Sequence, residues 1–210
     1  MKKRLVQLLV GVTLLGVCIV GLHAVITFND PETPFPGATG VQIGDLITES
    51  ASELLQSAAD AFLLLNEVEV AGRSGLNVNA ALQRADMAAA RIERTLMIFR
   101  EIILSGREAG YEPRRIGKLR DFDYGGFALE NGLSPETMTE VSSFLKQGNV
   151  LGFYRRHVVN LKKLQELLLR IRADLNAGRV PANRVLWSLL QQYDRTLIFG
   201  NYASMVFYKI

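Results

Sequence analysis

The sequence predicts an all-α protein: an antiparallel four-helix bundle with a long connection and a short helix between its second and third helices, preceded by an N-terminal transmembrane helix. Three observations carry this expectation. A 24-residue apolar run, Leu5 to Phe28, follows the basic triplet Lys2-Lys3-Arg4. Beyond it, four long segments repeat apolar residues at alternating spacings of three and four. Strand signals, meaning alternating Val, Ile and Thr runs bounded by turn residues, are absent from the sequence.

The apolar run comes first. At about 1.5 Å per residue it reaches ~36 Å, enough to cross a bilayer with some tilt. No Lys or Arg occurs between Arg4 and Arg73. A basic start and a cation-free exit place the amino end in the cytoplasm and the rest on the far side of the membrane. The expected location is therefore the cytoplasmic membrane, with a single span and a periplasmic domain. The alternative is secretion after cleavage near Ala24, where Leu22-His23-Ala24 forms a tolerable site. The run outlasts the roughly 7–15 residue core of a signal peptide, which favours a retained anchor. Cys18 is the sole cysteine. It reads as a small apolar residue in the span, because the chain stays apolar beyond it where a lipidated cysteine would carry a polar tether.

Residues 29–44 hold three prolines between Asp30 and Pro36 and glycines from Gly37 onward, the composition of a tether. Residues 45–210 form the expected helical domain. Its first helix is placed at about 45–71 through Ile47, Ala51, Leu54, Ala58, Ala61, Leu65 and Val68, a coiled-coil-like seam. The second, at about 78–105, runs through Leu82, Ala85, Ala89, Ile92, Leu96, Phe99 and Ile103, with Asn77 or Asn79 available as its cap. Ser134-Pro135-Glu136 begins a short helix at about 135–147, with a serine cap, a first-turn proline and an acid near the positive helix end. The third long helix, at 150–176, runs through Leu151, Tyr154, Val158, Leu161, Leu164, Leu168, Ile171 and Leu175, and Gly178 stops it. The fourth, at about 181–208, begins at Pro181 and continues through Leu186, Leu190, Tyr193, Leu197, Gly200, Ser204 and Phe207. Four rods with one apolar stripe each bury those stripes by packing together.

Charge divides the chain. Residues 5–72 carry eight acids, whereas residues 73–210 carry 21 basic and 13 acidic side chains. On the first helix Glu53, Asp60 and Glu67 recur every seven residues, as Arg84 and Arg91 do on the second. An antiparallel hairpin would set Glu67 against Arg84 and Asp60 against Arg91, fixing register. Each exposed pair contributes only ~0.2–1 kcal/mol, so apolar burial dominates. The third helix carries its own basic stripe, Arg156, Lys163 and Arg170, with Arg155 and Lys162 beside it. The stripe reads as a solvated face or as a dock for an acidic partner.

Residues 106–133 break the pattern, with six glycines and the aromatics Tyr111, Phe122, Tyr124 and Phe127. Such a long connection is either functional or loosely ordered. If the anchor fixes one end of the domain, this connection and the carboxyl end both return toward the bilayer. The candidate contacts with a membrane surface or a partner are Arg114, Arg115, Lys118, Arg120, Phe122, Tyr124 and Phe127 from the connection, and Tyr202, Phe207 and Tyr208 from the end. The competing expectation makes the arginines a solvated loop and the carboxyl aromatics core.

Chemistry is sparse. His157 is the sole histidine beyond the apolar run, so the usual zinc and haem sites cannot be assembled, and it is expected at the rim of the core or partly buried. Glu-x-x-His pairs and phosphate-loop glycines are missing. Asp121-Phe-Asp123-Tyr-Gly125-Gly126 resembles a calcium loop only in part and reads better as a tight turn. The expectation is a protein without catalytic residues, metal or other cofactor, and without a nucleic-acid partner outside the cytoplasm. Its foreseen role is a non-enzymatic accessory or assembly subunit of an envelope complex, bound to a protein partner. A sensory bundle holding a small ligand, with Tyr154 and Tyr193 lining a pocket, is the alternative, and an enzyme ranks last.

Overall fold

The computed structural model describes residues 37–74, 78–108, 110 and 117–209. Among these the protein is all-helical, with seven helices packed against one another and no strands. They are α1 (Gly37–Ser74), α2 (Val78–Glu108), α3 (Gly117–Arg120), α4 (Tyr124–Glu130), α5 (Pro135–Leu145), α6 (Val150–Asn176) and α7 (Asn183–Lys209). None of the described helices is long and apolar enough to cross a membrane, and the run 5–28 lies outside the described residues.

α1 begins at Gly37, inside the stretch expected as tether. After Pro36 no residue forbids helix, and each glycine costs only about 1 kcal/mol relative to alanine once the helix is propagating from its packed part. α2 begins at Val78, so Asn79 lies within the helix and does not cap it; Asn77 lies outside the described residues. α6 matches its expected bounds. A left-handed Gly178 (φ 68°) ends it, and the amides of Gly178 and Arg179 return to the carbonyls of Leu175 and Asp174, both at 2.9 Å. This closure satisfies carbonyls that the last turn would otherwise leave open. α5 starts as expected: Ser134 accepts from the Thr137 amide and Pro135 fills the first turn.

The long helices bury one stripe each, but not in constant heptad phase. On α2 the fully buried apolar residues are Ala81, Ala85, Ala88, Ile92 and Ile102, whereas Leu82, Ala89 and Ile103 are only partly buried. On α1, Leu64 is fully buried and Leu65 partly. A straight helix turns every 3.6 residues and drifts about 20° per heptad from a 3.5-residue seam, so the inner residue slips by one along the rod. The small side chains Ala58 and Ala61 on α1, with Ala81, Ala85 and Ala88 on α2, let these two backbones approach closely.

An ion ladder runs along the same pair. Arg94 reaches Glu49 at 2.6 Å and Glu53 at 3.4 Å. Arg91 reaches Glu53 at 3.1 Å and Asp60 at 3.0 Å, and Arg84 reaches Asp60 at 3.6 Å. Rising numbers on α1 meet falling numbers on α2, so the two helices are antiparallel. Asp60 thus faces Arg91 as expected, whereas the ion pair of Arg84 is with Asp60, two turns from the expected Glu67. Asp60 is 6% exposed and sits between two guanidiniums, so it draws both arginines toward the interior, where the charge interaction is stronger.

α2 packs next against α6, with Arg172 paired to Asp86, and α6 packs against α7. α1 and α7 meet more lightly, through a buried hydroxyl pair. Ser57 Oγ donates to the Ala88 carbonyl at 2.8 Å, and the Tyr193 hydroxyl lies 2.6 Å from the same Oγ. With its one proton engaged, Ser57 accepts from Tyr193, which ties three helices together.

The connection between α2 and α6 is folded in its described part. Leu119, Tyr124, Ala128, Met138, Val141 and Leu145 form a second hydrophobic cluster with the α6 residue Phe153 and the α7 residues Phe199, Tyr202, Ala203 and Val206. The segment therefore caps one end of the α6–α7 pair.

The serine–tyrosine contact predicts an unequal pair of variants. Ser57→Ala strands a buried phenol donor and should lower unfolding free energy by about 1–3 kcal/mol, whereas Tyr193→Phe removes one net hydrogen bond and should cost about 1 kcal/mol. Urea unfolding followed by circular dichroism measures both; equal costs would reject the donor assignment.

Candidate functional site

The candidate contact residues of the connection divide by burial. Lys118 is exposed. Arg120 is exposed and held by Asp121 through two hydrogen bonds of 2.7 Å. Phe122 and Phe127 are half-buried, their rings edge-on at 5.3 Å. Tyr124 and Tyr202, in contrast, are interior. Tyr124 is 4% exposed and donates to the Leu119 carbonyl at 2.9 Å; Tyr202 is 7% exposed and accepts from the Ser134 amide at 2.7 Å. Both are core residues and not contact residues, because each hydroxyl finds its partner inside the cap and burying the ring costs no unpaired polar group. Arg114 and Arg115 lie outside the described residues, as do the side chains of Phe207 and Tyr208.

The aspartates of the loosely calcium-like segment are both engaged by the protein. Asp121 holds Arg120, and Asp123 caps α4 by accepting from the Gly126 amide at 2.9 Å. Among the described residues no group of three or more His, Cys, Asp or Glu side chains gathers.

His157 is not at a rim: it is 4% exposed. It lies where the two hydrophobic clusters meet, with Phe99 at 4.7 Å between ring centroids and Phe199 at 5.9 Å. Phe153 stacks on Phe199 at 4.6 Å beside it. Gly200 makes room for the imidazole: a β-carbon there would come within 3.3 Å of His157 Cε1. Burial among these rings pulls the pKa of His157 down to about 4, so the imidazole is neutral at pH 7. Among the described residues Nδ1 has no hydrogen-bond partner, and one turn on the side-chain amide of the fully buried Asn160 has none either.

Tyr193, foreseen as lining a ligand pocket with Tyr154, is 1% exposed and engaged with Ser57. A groove lies on the opposite, outward side of the α6–α7 seam. It encloses about 510 Å³ between these helices. From α6 it is lined by Lys163, Glu166, Leu167 and Arg170; α7 contributes Ser188, Gln191, Gln192 and Arg195. Gln192 is fixed by donating to the Asn160 carbonyl at 3.1 Å. Ser188 donates to the Arg184 carbonyl, which leaves its oxygen as an acceptor. Lys163 and Arg170 belong to the basic stripe read from the sequence, and neither forms an ion pair among the described residues. The α7 wall was missed. Its signal was a polar stripe, Arg184, Ser188, Gln191 and Arg195, at spacings of four, three and four on a helix read mainly for its apolar face.

At one end of the groove α5 supplies a carboxylate. Glu140 pairs with Arg156 and lies 3.5 Å from Arg195. The site thus holds cations on both walls with neutral amides between them. This arrangement offers charge recognition.

The chain matches no protein-family model, and neither a curated protein nor a solved structure matches it.

The buried histidine predicts a pH dependence. Its folded pKa of about 4 lies below the ordinary ~6.5, so the unfolded chain takes up the proton first. Stability is unaffected by this group above pH 7, falls as pH drops from 6.5 toward 4, and levels off below that. Urea unfolding at pH 7.5 and 4.5 should show an acid loss about 2–3 kcal/mol larger for the native protein than for His157→Phe. Parallel losses in the two would reject a neutral buried imidazole.

Proposed function

We propose that this protein is a membrane-anchored, extracytoplasmic helical bundle that serves as a non-enzymatic accessory or assembly subunit of an envelope complex. In this reading residues 5–28 span the cytoplasmic membrane with the amino end inside. The four long helices α1, α2, α6 and α7 form an antiparallel four-helix bundle on the periplasmic side. Cleavage near Ala24 would leave the same domain secreted. The protein partner meets the outer face of the connection, through Arg114, Arg115, Lys118, Arg120 and Phe127, and the carboxyl end around Phe207 and Tyr208. Nucleic acid is not a partner in that compartment.

One observation carries the subunit reading. Among the described residues, the groove between α6 and α7 presents Lys163 and Arg170 without ion-pair partners on an open surface, and its hydroxyl, Ser188, donates to the Arg184 carbonyl and not to a base. Binding surfaces have this form, whereas active sites converge reactive groups in a recess. The basic start and the cation-free residues 5–72 support the topology. The groove's volume also lies in the range of small-ligand sites, which keeps a small charged ligand as the second reading.

Two measurements test this function. An alkaline phosphatase fused after Ile210 should be active, because that enzyme matures only outside the cytoplasm; an inactive fusion that remains intact removes the proposed topology. Co-purification from solubilised membranes should recover a stoichiometric partner. Phe127→Ala combined with Lys118→Glu should reduce its yield several-fold without changing the helical spectrum, and undiminished recovery would remove the connection as a contact surface.

A further inference from the structure

We infer that the α6–α7 groove binds an acidic peptide segment of a partner protein, with carboxylates seated on Lys163 and Arg170. The inference deepens the accessory-subunit reading and rests on it for the presence of a partner. Its physical basis is a recognition event that the protein already makes with itself.

α6 carries Arg156, Lys163 and Arg170 at seven-residue intervals. Two helical turns separate successive members, about 10.5 Å along the axis. The first is occupied: Glu140 of the short helix α5 pairs with Arg156 and approaches Arg195 across the seam. A carboxylate carried on a short segment is therefore the chemistry this stripe accepts. Beyond Glu140 the stripe continues without such a segment. Lys163 and Arg170 are both exposed, neither has an ion-pair partner among the described residues, and the groove beside them holds about 510 Å³. The one acid on its walls, Glu166, is outnumbered by Lys163, Arg170 and Arg195.

The shape favours a peptide over a free anion or an enclosed metabolite. Leu167 is the sole apolar wall residue, so burial contributes little and a small ligand would be held mainly by charge in water, where each pair contributes ~1 kcal/mol or less. A segment that engages two cations at once gains from the second contact being intramolecular. Extended peptide advances ~3.3 Å per residue, so acids three positions apart span the Lys163–Arg170 interval; on a helix, acids seven apart do so. Gln191 and Gln192 stand across the seam between the cations, where side-chain amides can bond to a peptide backbone. Lipid headgroups fit less well. In the proposed topology α6 starts at the membrane-facing end, and Lys163 and Arg170 lie about 20–30 Å further along its axis.

The test uses the full chain in neutral detergent and a fluorescein-labelled octaglutamate peptide, read by polarisation. Binding at 50 mM salt should weaken steeply by 300 mM. K163E/R170E should weaken it at least tenfold. The control R155E/K162E makes the same charge change on the same helix, one position away and facing elsewhere, and should weaken it less than threefold. All four side chains are exposed and lack ion pairs among the described residues, so both variants should keep the native helical spectrum. Equal losses in the two variants, or no binding at low salt, would overturn the inference. Binding of vesicles containing one-fifth anionic lipid that K163E/R170E abolishes, with octaglutamate unable to compete, would assign the groove to headgroups and overturn the peptide. Inorganic phosphate at 10 mM should displace the peptide by less than half; full displacement would mark a simple anion site and overturn it as well. These measurements do not depend on membrane orientation, so a failed topology fusion and a failed groove are separate outcomes.

Discussion

The close approach of α6 to α7 at His157 and Gly200 is the constraint on which the rest of the structure depends. Two hydrophobic clusters share these helices. Leu161 to Leu175 and Tyr193 serve the main core with α1 and α2, while Phe153, Phe199, Tyr202 and Val206 serve the cap. The junction fits the imidazole and the rings of Phe99, Phe153 and Phe199 together, and Gly200 eases the approach, since a β-carbon there would press within 3.3 Å of His157 Cε1. With the two helices fixed there, the cap has a floor to fold on and the outward side of the seam is held open as a groove.

That arrangement also explains why so few polar groups do the specifying. Ser57 ties α1 to both α2 and α7 through two buried hydrogen bonds, one to the Ala88 carbonyl and one with Tyr193, and the ladder from Glu49–Arg94 to Asp60–Arg84 sets how α1 lies on α2. Most of the burial is apolar and tolerant of small shifts. The polar contacts are directional and tolerate less, so they select one alignment among several that would bury similar area. Glu140 does the same for the cap by bridging α5 to both Arg156 and Arg195.

The functional consequence is a division between the two sides of one helix pair. Inward, His157 is kept neutral and the Asn160 side-chain amide has no partner among the described residues, an environment that stabilises no charge. Outward, Lys163 and Arg170 stand exposed beside neutral amides. The proposed docking of acidic segments uses the outer side alone, so the surface can take up or release a partner without disturbing the junction beneath it.

By itself the sequence determined the four long helices and α5, because period and punctuation are local: the stripes, the Ser134-Pro135 start and the Gly178 stop depend only on neighbours along the chain. It also exposed the basic stripe of α6 and the pairing of Asp60 with Arg91, since both follow from seven-residue spacing. Tertiary structure alone decided the fate of Tyr124, Tyr202 and His157, whose burial depends on which distant rings and carbonyls they meet. It alone turned the connection into a cap, and it alone supplied the second wall of the groove, since Ser188, Gln191 and Arg195 acquire meaning only when α7 lies beside α6. Local spacing fixes which face a residue occupies on its own helix; what that face meets is a property of chain segments far apart in sequence, and no periodicity within one segment encodes it.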